Sequence, residues 1–175
     1  MNVIDLFAQK FNYLLEIKRA DGLDMGKSLE RLPGAERYDG LQYYIRGYTS
    51  NGIVGFYWFS PFSSTNLQMP GHLLWIASCP AYNLEYVLDT TTGEVSTFDP
   101  EHYAIEWPCA IDHKAFFQSL LIVAENEIEK AEKKTFELPE STLMKRYLEC
   151  LKINGNDQKF SAFYEHIIGV DLEGQ

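Results

Sequence analysis

Between Asn2 and about Arg19, Val3, Phe7, Phe11, Leu14 and Leu15 recur at three- and four-residue spacings, which predicts an amphipathic helix. Asn2 suits its N-cap, Asp5 its positive end, and Lys18 and Arg19 its last turn. Gly22, Gly26, Pro33 and Gly34 then break the pattern and predict a loop. From residue 41 the texture becomes β. Residues 41–49 and 53–60 read as two strands, joined by Ser50-Asn51-Gly52, where Asn and Gly tolerate positive φ. Residues 72–79, 84–89 and 94–98 read as three more, the last two joined across Thr90-Thr91-Thr92-Gly93.

After Asp112, a good N-cap, the period returns to helical. Phe116, Phe117, Leu120, Leu121, Ala124, Ile128 and Ala131 form one stripe, and Glu129 and Lys133 stand at i, i+4 on the outer face. A third helix is predicted over 139–152, burying Leu143, Tyr147, Leu148 and Leu151. Asn154-Gly155-Asn156 ends it and starts a fourth, with Phe160, Phe163, Tyr164 and Ile167 inward and Gly169 at its end. The order is helix, about five strands, three helices. The short strand connections leave no room for crossover helices, so the sheet is antiparallel and the class α+β. The length fits one domain, 1–175.

A four-residue turn at 90–93 sets the register of the hairpin. Asp89 falls opposite Glu94, Val87 opposite Ser96 and Glu85 opposite Phe98, and these six share one face. Tyr86, Leu88, Val95 and Thr97 share the other, which is expected to be the core side.

Composition changes this picture little: 46% hydrophobic and 14% aromatic residues are ample for a packed core. Charge changes it more. The net charge is −10, and residues 47–113 hold seven carboxylates and no Lys or Arg. Such a surface repels phosphate backbones, so no nucleic acid is expected as a partner, and it attracts a basic protein. No apolar run approaches the roughly 18 residues needed to span a bilayer. The first residues, Met1-Asn2-Val3-Ile4-Asp5, lack the basic and apolar regions of a signal peptide, so a soluble cytoplasmic protein is expected.

Candidate chemistry is sparse. Cys109 and His113 stand four residues apart across a helix start, where a thiol pKa can be depressed, but no glycine elbow or second acid accompanies them. Cys79 and Cys150 lie in apolar or amphipathic runs and read as buried thiols. His72, His102, His113 and His166 form no ligand spacing, so no metal is expected, and no cofactor, because glycine-rich phosphate loops are missing. The C-terminal helix pair lacks the basic outer face of a recognition helix.

The most distinctive segment runs Tyr86-Val87-Leu88-Asp89-Thr90-Thr91-Thr92-Gly93-Glu94-Val95, followed by Phe98-Asp99, Trp107, Ala110 and Phe116-Phe117. It resembles the SUKH superfamily of bacterial immunity proteins, in which a strand ending in Asp, a turn with Gly and a second strand precede a helix opening near an aromatic pair. The resemblance covers about 40 residues, 84–121, and the α+β order, and it implies one SUKH-like domain over 1–175 with 135–175 as a C-terminal helical extension. It implies a non-catalytic protein that binds and blocks a cognate toxin. Many such toxins are nucleases with basic grooves, which an acid-only central third complements. The candidate partner-binding residues are Glu85, Asp89, Glu94, Asp99 and Glu101 as acidic surface, with Tyr57 and Trp58 as desolvated anchors. The alternatives are a cysteine-dependent or acid/base enzyme with an unrecognised site, and a regulatory scaffold, since SUKH-like domains also occur in a eukaryotic cell-wall regulator.

Overall fold

The computed structural model describes residues 2–23, 28–31, 34, 60–61, 68–79 and 81–172. The strands expected over 41–49 and 53–60, apart from Ser60, lie outside these residues, as does the Ser50-Asn51-Gly52 turn.

Helix α1 (Val3–Ala20) starts where the Asn2 side chain accepts a hydrogen bond from the Ile4 N–H at 3.1 Å. Its stripe of Ile4, Phe7, Phe11, Leu14 and Leu15 is buried against helix α2 (His113–Lys133). The two run in the same direction: the Phe7 and Phe117 rings lie 5.6 Å apart, and Lys10 pairs with Glu125 at 2.9 Å further along. Asp112 caps α2 by accepting from the Ala115 N–H at 2.8 Å, and Glu129 meets Lys133 at 2.6 Å, both as the pattern implied.

The sheet is an antiparallel meander of β1 (Leu73–Cys79), β2 (Leu84–Asp89), β3 (Val95–Asp99) and β4 (Ala104–Ala110). A two-residue segment, Ser60–Pro61, pairs with Ser78 and Ala77 beyond β1. Among the described residues there are thus four full strands rather than about five. Three match expectation; β4 does not, because Pro108 interrupts its pattern and strands tolerate proline mainly at an edge. β4 is the last member of the described ladder.

The β2–β3 register is the expected one, with Glu85 opposite Phe98, Tyr86 opposite Thr97 and Val87 opposite Ser96. The Gly93 N–H bonds the Asp89 carbonyl at 2.8 Å, and the Asp89 N–H bonds that of Glu94 at 2.9 Å, closing the turn. Tyr86 faces the helices as predicted, 5.4 Å from the Phe116 ring. The opposite face is not the wet one expected. Val87, Phe98, Ser96 and Glu85 are all buried. Glu85 is held inside by two donors, the Trp75 indole N–H at 2.8 Å and the Ser78 hydroxyl at 2.7 Å.

Helix α3 (Glu140–Ile153) buries Tyr147, Cys150 and Leu151. Leu148, expected inside, is 54% exposed, because it stands about 100° round the helix from Tyr147. A 3₁₀ turn (Gln158–Phe160) leads into helix α4 (Ser161–Ile168), which ends at Gly169 with φ of 82°. Phe160, Phe163 and Tyr164 join the same buried cluster as α1, the sheet and α2. No helix among the described residues is long and apolar enough to cross a membrane.

Asn154, fully buried after α3, ties these parts together. Its amide nitrogen lies 2.9 Å from the Cys150 carbonyl, 3.0 Å from the Tyr164 hydroxyl and 3.2 Å from the Ser119 hydroxyl, which share its two N–H donors, and its oxygen accepts from the Ile111 N–H at 3.1 Å. Replacing Asn154 with Ala strands several buried polar groups and is expected to cost about 3 kcal/mol. Urea unfolding is expected to show a lower midpoint at unchanged slope.

Candidate functional site

The acidic residues of the central third do not gather into one patch. Asp89 and Glu94 flank the β2–β3 turn, whereas Asp99 closes β3 at its far end and Glu101 follows it, about 17 Å away at strand rise. Glu85 lies between them, buried, and so is not the surface residue expected. Tyr57 and Trp58 lie outside the described residues.

At the turn end, Asp89 Oδ1 accepts from the Thr91 N–H at 2.7 Å, the Thr91 hydroxyl at 2.6 Å and the Thr92 N–H at 3.3 Å. These bonds, that of the hydroxyl foremost, hold its carboxyl below the usual carboxylate range. The Thr90 N–H and hydroxyl both reach the His72 carbonyl at 2.8 Å, fixing the turn against β1. Glu94 pairs with Lys159, which reaches across from the 3₁₀ turn; the bond to Glu94 raises the pKa of the ammonium.

Beside this turn a cavity of about 330 Å³ opens on the outer face of the sheet. Leu73, Val87, Ile105 and Pro108 give it apolar walls. Asp89, Thr92, Glu94, His72, Lys159 and Ser96 supply its polar lining. Its volume falls at the small end of ligand sites.

At the far end, Asp99 Oδ1 accepts from the Glu101 N–H at 2.7 Å and the His102 N–H at 3.2 Å, and its Oδ2 lies 2.6 Å from His102 Nδ1. This pair raises the imidazole pKa and lowers that of the carboxyl. Glu101 accepts from the Asn83 amide at 3.0 Å.

A third surface feature escaped the sequence. Tyr82, Trp107 and His166 come together from a turn, β4 and α4, with ring centroids 4.8–5.7 Å apart. Each is unremarkable in its own segment, and only the fold brings them into contact.

The thiols are poor nucleophiles. Cys79, Cys109 and Cys150 are free and buried; burial pushes Cys109 well up, and Cys150 up to about 12. His113 is lowered by burial, and its Nε2 has no hydrogen-bond partner among the described residues. No group of three or more His, Cys, Asp or Glu among them is arranged to hold a metal ion. No family model, curated protein or solved structure matches the chain.

Iodoacetamide at pH 8 is expected to label all three cysteines in urea but Cys109 at least ~100-fold more slowly in the native protein. Rapid native labelling at pH 6 would reopen the thiol-enzyme reading. Burial also pushes the Glu85 carboxyl up, partly offset by the bonds from Ser78 and Trp75. A carboxyl raised in the fold binds its proton more tightly folded than unfolded, so stability falls as pH rises between the two pKa values. Glu85→Gln is therefore expected to melt higher than wild type at pH 7, with the gap closing as pH drops to about 4. Thermal melts at both pH values test this.

Proposed function

We propose that the chain is a non-catalytic, cytoplasmic immunity protein of the SUKH type that binds and blocks a basic toxin, a nuclease being the partner chemistry its charge suits best. The observation that carries this reading is the acid-only stretch 47–113, four of whose carboxylates stand at the two ends of one hairpin. Asp89, Glu94, Asp99 and Glu101 all stand at the ends of that hairpin, each positioned by hydrogen bonds or an ion pair. Fixed charges of one sign draw a basic partner in and orient it without needing to be desolvated. The deep burial of the thiols favours binding over thiolate chemistry.

Two charge centres about 17 Å apart along a strand suit an extended basic groove better than a single basic side chain. The exposed rim of Tyr82, with Trp107 behind it, supplies aromatic surface of the kind that carries binding energy once desolvated.

Neutralising Asp89, Glu94 and Asp99 together, as Asn, Gln and Asn, is expected to slow association with a cognate toxin domain by about tenfold at low salt. Most of that loss is expected to vanish near 0.5 M salt, where ions screen exposed charges within about 4 Å. Stopped-flow kinetics at the two ionic strengths measure it. An unchanged rate at low salt removes the hairpin ends from the binding site. Failure of the wild-type chain to protect cells that produce that toxin removes the immunity reading itself.

A further inference from the structure

The geometry points to the cavity beside the β2–β3 turn as a receptor for one arginine side chain of the partner. This inference rests on the reading of the chain as a binder of a basic protein and names the contact that such a partner makes.

Three observations meet in this cavity. Ser96 lies in its lining, only 8% exposed, and its hydroxyl has no hydrogen-bond partner among the described residues. The hydroxyl itself is not sealed off, so a bound group can reach it, and a hydrogen bond made in this largely enclosed place gains more than one at an open surface. Two carboxylates line the same space. The turn directs all three of its hydrogen bonds to Asp89 Oδ1, and Lys159 engages Glu94 through Oε1, so each carboxylate keeps a second oxygen for a ligand. Leu73, Val87, Ile105 and Pro108 add apolar walls, and His72, Thr92 and Lys159 complete the lining among the described residues.

Two carboxylates, a hydroxyl and hydrocarbon walls in one cavity describe the complement of a long side chain with a cationic head. Anions are repelled by the carboxylates. Between the two natural cations the guanidinium fits better. It is more weakly hydrated than an ammonium, and its planar fork of five donors can serve several acceptors at once, here Asp89, Glu94 and Ser96. An ammonium is a compact, strongly hydrated point charge.

Lys159 already occupies part of this role. It is a cation of the chain itself, drawn across 65 residues of sequence to Glu94. In the free protein it offsets one of the two carboxylates, and an incoming arginine competes with it for Glu94. Removing that ammonium is therefore expected to tighten arginine binding, whereas removing an ordinary surface lysine from an acidic protein would change it little.

The test needs no toxin. N-acetyl-arginine amide is titrated into the full-length protein and followed by amide chemical shifts. The uncharged citrulline analogue and N-acetyl-lysine amide are titrated in parallel. The expected result is saturable shifts centred on Val87, Glu94 and Ser96, with the citrulline analogue at least about tenfold weaker and the lysine amide weaker by a smaller factor. Glu94→Gln and Ser96→Ala are each expected to weaken arginine binding several-fold, and Lys159→Met to tighten it several-fold. Equal binding of the citrulline analogue, or shifts centred elsewhere, overturns the inference, as does a Lys159→Met protein that binds no better. Tighter binding of the lysine amide replaces arginine with lysine and overturns it in its stated form. Arginine binding here with no protection against the toxin fails the immunity reading alone. Slowed toxin association in the triple charge variant, without arginine binding, fails the pocket alone.

Discussion

Cover on both faces of the β2–β3 hairpin is the constraint on which the rest of the structure depends. Tyr86, Val95 and Thr97 are buried on one face and Val87, Ser96 and Phe98 on the other. A polar side chain in the middle of a strand buried on both sides is costly unless it finds a partner. Glu85 obeys this through Trp75 and Ser78, and Thr97 through the Trp107 backbone, whose N–H it accepts at 2.9 Å. Charge without such provision is confined to where the strands end. The separation of Asp89 and Glu94 from Asp99 and Glu101 therefore follows from packing.

The helical layer depends on the same economy of polar groups. Parallel α1 and α2 present Phe7, Phe11, Phe116 and Phe117 to one another and to Tyr86. Asn154 closes the corner where α3, α4 and the end of β4 meet, each of which would otherwise leave hydrogen-bonding groups unmatched. A buried amide with four contacts sets the angle of the C-terminal helices in a way that apolar packing alone leaves loose.

The parts of this fold that could be read in the sequence are those governed by local rules. Asn2 and Asp112 cap helices because each side chain reaches an N–H two or three residues on. The hairpin register follows from a four-residue turn, and Gly169 ends α4 in a left-handed conformation that suits glycine. What could not be read depends on contacts distant in sequence. Glu85 resembles any solvent-facing strand carboxylate until Trp75 and Ser78 are seen to aim at it. β4 is obscured by Pro108. The candidate site was legible only in its residue types: Asp89 and Glu94 were evident as a pair. Lys159, Ser96 and the walls from β1 and β4 come from four separate segments, and no periodicity in any of them announces a cavity.

Pro108 has one further effect, on how the molecule can meet others. The outermost described strand lacks a backbone donor at that position, and its pairing with β3 is broken by register shifts at two places. An unpaired strand edge is a template for a further strand from another chain, the usual beginning of fibrous aggregation. An interrupted and buckled edge makes a poor template. Contact with other proteins on this side is thereby left to side chains, which distinguish one partner from another, and taken from the backbone, which does not.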